Sequence, residues 1–183
     1  MVSGRWSESI KVESNFQDDY QLLTTDHRSL SADHCQMKLA PRTNELIESF
    51  FRHYFGENNL KLPHIQIYLG SVSKLVTNLL NIDGITIGRH ILIRPGLIYR
   101  NSDNQICLSK KLLVHEITHV LQYQKEGFFG FLLNYFKEYF KNINRRKKWD
   151  SVSRMSAYLD ISHEIEARDS ASKFINWFSS LKS

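Results

Sequence analysis

His115-Glu116-Ile117-Thr118-His119 sets two imidazoles four residues apart, with a carboxylate directly after the first. On a helix, positions four apart share one face a turn from each other, so both rings can reach one ion. Two nitrogen donors at that spacing suit Zn²⁺. Glu116 beside them can take a proton from a water as that water attacks a carbonyl, and pass it to the leaving amine. A catalytic zinc needs a third protein ligand and an open position. The source is His163-Glu164-Ile165-Glu166-Ala167-Arg168-Asp169. In a helix Glu166 and Asp169 share a face, while Glu164 points about 200° away from Glu166, so one of the two glutamates faces the metal. We take Glu166 as the third ligand, because Ala167 beside it lets this helix approach the first; Glu164 and His163 are the alternatives. Asp169 is expected to accept the second N–H of a ligating histidine. Tyr158 and Arg168 are the candidates for stabilising an oxyanion. Two His and one carboxylate also suit other divalent metals.

The elements that must position these groups follow from hydrophobic spacing. Leu46, Ile47, Phe50, Phe51, Tyr54 and Phe55 recur at three-four spacing and Gly56 stops the run, which predicts an amphipathic helix. His64 to Leu69 alternates as a strand, and Val72, Leu75, Val76, Leu79 and Leu80 then predict a helix. Ile85 to Ile87 and His90 to Ile93, separated by Gly88-Arg89, read as a hairpin or bent strand pair, and Gln105 to Leu108 as a further strand. From Ser109 the spacing of Leu112, Leu113, Ile117, Val120 and Leu121 predicts the motif helix, ending near Gly127. Two more helices are predicted, over Phe128 to Lys141 and Ser162 to Leu181, with a basic loop or frayed helix end between them. Strands first and helices after give an α+β class with a small mixed or antiparallel sheet.

The run Leu113 to Gln122 resembles the motif helix of the zincin metallopeptidases, and within them the DUF4157 domain associated with extracellular contractile injection systems. Gly84 to Ile93 resembles the strand-turn-strand that this family places before its motif helix. Glu164-Ile165-Glu166-Ala167 resembles the E-x-E-A segment of gluzincin-like bacterial peptidases, in which Glu166 takes the third-ligand place. The resemblance implies a zincin-like domain over 41–183, one Zn²⁺ held by His115, His119 and Glu166, and Glu116 as general base in peptide-bond hydrolysis. It also implies an edge strand, His90 to Ile93, that binds an extended protein or peptide substrate by strand addition. A non-catalytic, zinc-stabilised interaction module is the alternative from another class, and a membrane-acting toxin a third. Leu121-Gln122-Tyr123 departs from the Gln pair common in the family, as does the long aromatic insert after it.

The 183 residues, 42% apolar and 23% charged, fit one globular domain, and no apolar run approaches the ~20 residues that span a bilayer. The 24 basic against 19 acidic residues are no specific signal for nucleic acid, since much of the surplus sits in Lys141, Arg145, Arg146, Lys147 and Lys148. Phe129, Leu132, Leu133, Phe136 and Phe140 form a three-four stripe that is expected to cover the metal helix; peripheral contact with an anionic membrane is the alternative. Residues 1–40 are polar and without sustained period, and read as a mobile or loosely docked arm. Within it Cys35 is a candidate to occupy the open zinc position and hold the enzyme latent. Two cysteines, Cys35 and Cys107, suggest no disulfide scaffold. Residues 1–10 carry no apolar core of a signal peptide, so cytoplasmic synthesis with export by a dedicated secretion system is the expectation.

Overall fold

Ile106–Ser109 is a strand, Lys110–Glu126 is the helix that carries both imidazoles, and no loop separates them. The computed structural model describes residues 20–25, 36–101 and 106–181. The strands are β1 (Tyr20–Thr25), β2 (Gln36–Leu39), β3 (Gln66–Tyr68), β4 (Gly84–Ile87), β5 (His90–Ile93), β6 (Ile98–Arg100) and β7 (Ile106–Ser109). The helices are α1 (Pro41–Phe55), α2 (Ser71–Leu80), α3 (Lys110–Glu126), α4 (Phe128–Arg146), α5 (Ser151–Leu159) and α6 (Ser162–Ser180). The class is α+β, as expected. The strands form one seven-stranded mixed sheet in the order β4-β5-β3-β2-β1-β7-β6. β3 and β5 run parallel, with Gln66 opposite His90, and every other neighbouring pair is antiparallel.

One expectation about the sheet is corrected. His90–Ile93 is not an edge: β5 lies between β3 and β4, because the turn at Gly88, with φ 63°, folds β4 back along its outer side. Among the described strands, β4 is the outer one on that side. The sheet also takes in two strands from within residues 1–40. β1 pairs with β7 on one side, Tyr20 opposite Ser109, and with β2 on the other, Leu23 opposite Leu39. Strands this short take their stability from neighbouring strands, and a sequence period carries little of that information. Cys35 lies outside the described residues, and with it the expectation that it reaches the zinc.

The core lies between the sheet and the helices. Met37 is buried between exposed neighbours in β2, and Ile67, Ile91 and Ile93 turn the same way from β3 and β5. α1 opens on Pro41, which has no N–H to leave unpaired in the first turn, and closes at Gly56, whose φ of 70° a side chain would resist. Phe50 of α1 meets Phe174 of α6 edge-on at 5.1 Å. α2 reverses the expected orientation: Ser73 and Thr77 are buried, while Val72, Leu75 and Leu79 are exposed. Hydrogen bonding explains the choice, because Ser73 Oγ donates to the Ile93 carbonyl of β5 at 2.5 Å and fastens the helix to the sheet by its polar side. α5 was not anticipated from the basic stretch; Asp150 caps it, accepting from the Ser153 N–H at 2.7 Å.

α3 and α6 pack along one another with small side chains between them. Ala167 and Ala171 are buried, and Thr118 Oγ1 and Ser170 Oγ lie 2.5 Å apart across the seam. At the start of α3, Lys110 places its Nζ 4.0 Å from the centre of the Phe178 ring of α6. Among the described residues no helix is long and apolar enough to cross a membrane. Since this seam sets the distance between the two ligand-bearing helices, Ala167→Leu is expected to destabilise the fold by about 1–3 kcal/mol through overpacking. A lower urea midpoint at unchanged slope would register it.

Candidate metal centre

His115 and His119 lie one turn apart on the buried face of α3, and their Nε2 atoms are 3.2 Å from each other. The carboxylate that joins them is Glu164, not Glu166. Glu164 Oε2 lies 3.4 Å from His115 Nε2, and Oε1 lies 3.3 Å from His119 Nε2. Donors about 2.0–2.1 Å from a tetrahedral zinc are about 3.3–3.4 Å from one another, so this set fits one ion. Among the described residues it is also the one cluster of three His, Cys or acidic side chains that converges this way.

Glu164 sits in the first turn of α6, where the unpaired N–H groups favour negative charge. Its side chain is 2% exposed. Tyr135 of α4 donates to its Oε1 at 2.9 Å, and Tyr158 of α5 donates to its Oε2 at 2.8 Å. Burial raises a carboxyl pKa, but the two imidazoles outweigh it and hold Glu164 well below the usual carboxylate range. Burial and the adjacent Glu164 charge push both tyrosine hydroxyls far above their usual range, so they remain donors. Tyr158, the candidate for an oxyanion, is engaged with the Glu164 carboxylate.

Gln122 fixes the second histidine. Its Oε1 is 2.8 Å from His119 Nδ1, and its Nε2 donates to the His163 carbonyl at 3.1 Å and to Glu166 Oε2 at 2.7 Å. An N–H on Nδ1 leaves Nε2 free to ligate. Glu166 thus lies behind His119, holding the amide that holds the ring. Glu164 and Glu166 both reach α3, Glu164 at the two imidazoles and Glu166 at Gln122. His163 is not a ligand either, its Nε2 lying 2.7 Å from Glu126 Oε1. Asp169 accepts from Tyr54 at 2.9 Å and pairs with Lys173, and Arg168 donates to the Leu159 carbonyl, so neither reaches the imidazoles. Gln122 lies one turn past His119 on the ligand face, and that spacing was the signal available for it. Tyr135 had none beyond its place in an aromatic run.

Glu116 is buried, 3% exposed, against the outer strand β4. Thr86 Oγ1 donates to its Oε2 at 2.7 Å and to its backbone carbonyl at 3.2 Å. Gly84 leaves room for the other oxygen, since a Cβ there would stand 2.7 Å from Glu116 Oε1. The carboxylate is thus clamped against β4. Phe131 of α4 closes the opposite side, its ring centre 6.0 Å from that of His119.

Residues 43–127 match the eCIS core domain. This links the chain to extracellular contractile injection systems over a little under half its length, from α1 to the end of α3. No curated protein and no solved structure matches the chain. The eCIS core match contains His115, Glu116, His119, Gln122 and the β4 clamp, and ends before Tyr135, Tyr158 and Glu164. The conjunction of the two halves of the site is therefore visible in the fold and not in the family match.

The ligand assignment has a direct check. Elemental analysis after removal of loosely bound ions is expected to find about one metal per chain in the wild type and in Glu166→Ala, and none in Glu164→Ala. Proton competition gives a second. Burial alone would lower the His119 pKa, but Glu164, then Glu116 and Gln122, raise it to about 9. A proton and a metal compete for Nε2, so affinity is expected to fall about tenfold per pH unit below that value. Calorimetry in buffers of different ionisation enthalpy would register about one proton released per metal bound near pH 7.5.

Proposed function

We propose that the chain is a zinc-dependent metallopeptidase of the injection-system context, with His115, His119 and Glu164 holding the ion and Glu116 as general base. The observation that carries the reading is the division of labour between two glutamates. Glu164 straddles both imidazoles, while Glu116, next to the first ligand in sequence, is held off the ligand set by Thr86 and Gly84. A carboxylate that is not a ligand but is fixed beside one is what proton transfer from water needs. Zinc, when bound, supplies Lewis acidity toward the substrate carbonyl and toward water.

Glu116 Oε1 receives the proton of the attacking water, because Thr86 already donates to Oε2, and returns it to the leaving amine. Tyr135 and Tyr158 keep Glu164 oriented through the cycle. The outer edge of β4 offers backbone N–H and C=O groups to an extended peptide, and its residues Gly84 and Thr86 already touch Glu116. Strand addition there would lay a scissile bond alongside the base.

A second reading rests on burial. His115, Glu116, His119 and Glu164 are each less than one-tenth exposed, which suits a metal that stabilises an eCIS-associated interaction module without turnover. Glu116 separates the two. Under the enzyme reading, Glu116→Gln is expected to keep the metal and to reduce peptide hydrolysis at least about 10²-fold, whereas His119→Ala loses both. Turnover of a quenched peptide library by wild type and Glu116→Gln, each with metal content measured, tests this. Equal low turnover in both at full metal occupancy would favour the module.

A further inference from the structure

The face of α4 expected to cover the metal helix is turned outward. Phe129, Leu133, Phe136 and Phe140 are 77%, 71%, 53% and 50% exposed. α4 meets the site instead through Phe131 and Tyr135, on its other side. The most apolar stripe does not face inward here, because the inward face supplies the Tyr135 hydroxyl that donates to Glu164. The exposed four lie within about 60° of the helix circumference at 3.6 residues per turn, so they form one ridge.

The charge beside that ridge has one sign. Lys137, Lys141 and Arg145 follow it around the exposed side of the helix, and Lys147 and Lys148 continue past its end to exposed Trp149. The acid of α4, Glu138, is engaged elsewhere: it accepts from the Ser162 N–H at 2.7 Å and from the Ser162 hydroxyl, capping α6. Aromatic and aliphatic groups on one arc with lysines on the next are the pattern of a helix lying in a bilayer interface, its rings among acyl chains and its ammonium groups among headgroup phosphates.

We propose that the outer face of α4 docks this protein on an anionic membrane surface. The helix lies in the plane of the interface, since none of the described helices can cross the bilayer. Charge complementarity selects a lipid surface over an apolar protein groove, because Lys137 and Lys141 flank the ridge and Lys147 and Lys148 follow its end, and an apolar groove would leave them unanswered. The metal centre faces away from this surface, so the inference stands independently of turnover.

Co-sedimentation of the full chain with vesicles tests it. Vesicles with about 30% phosphatidylserine are expected to bind the protein, and pure phosphatidylcholine vesicles at least about tenfold more weakly. Raising NaCl to about 1 M, where the Debye length is about 3 Å, should remove most of the difference. The surface variants Phe136→Ser with Phe140→Ser, and Lys137→Gln with Lys141→Gln, should each weaken binding about tenfold or more with unchanged circular dichroism and metal content. No binding to anionic vesicles at low salt, or equal binding by both variants, would overturn the proposal. So would a wild-type dimer that the Phe pair dissociates while vesicles leave the wild type in solution, which would assign the ridge to a second copy.

Discussion

A carboxylate that is almost wholly enclosed must be surrounded by donors or it will not stay ionised, and Glu164 imposes that demand on four helices at once. Two imidazoles from α3, a phenol from α4 and a phenol from α5 converge on a side chain in the first turn of α6. Removing one partner of such a buried charge cluster costs about 3–5 kcal/mol, because the remaining charge is stranded. The relative placement of α3, α4, α5 and α6 is thus tied to the chemistry of a single residue. Small side chains at Ala167 and Ala171 are what allow α6 to come near enough for this to happen.

The outer shell of the site works by the same logic at lower charge. Gln122 bridges His119, the His163 carbonyl and Glu166, so one amide sets a ring tautomer and joins two helices. Glu166 is joined to the site through Gln122 and His119. Thr86 does for Glu116 what the tyrosines do for Glu164, and Gly84 provides the space. Glu116 and Glu164 are each held by hydroxyl groups from other elements.

How much of this could be read in the chain depended on the range of the signal. The pair His115 and His119 needed only a helix, and local spacing along α3 supplied one. That Glu164 and Glu166 would diverge also followed from helix geometry. Which of them reaches the imidazoles depended on the packing of α6, and no local period carries that. The same gap explains the outward ridge of α4 and the outward face of α2. In both, a polar contact across the fold decided the orientation: Tyr135 to Glu164 in one, Ser73 to the Ile93 carbonyl in the other. Strands β1 and β2 were illegible for a related reason, since their partners are remote segments and they are too short to show alternation.

The position of β1 in the sheet has a mechanical consequence. In the order β4-β5-β3-β2-β1-β7-β6, β1 is the bridge between a five-element block, counting itself, and the β7-β6 hairpin from which α3 grows without a loop. α3 is tied to the other flank as well, because Thr86 of β4 donates to the Glu116 carbonyl and carboxylate on the helix itself. The helix thus spans the sheet from one flank to the other, and a force that parted β1 from β7 would be carried by the β4 contact instead of separating the two ends of the site.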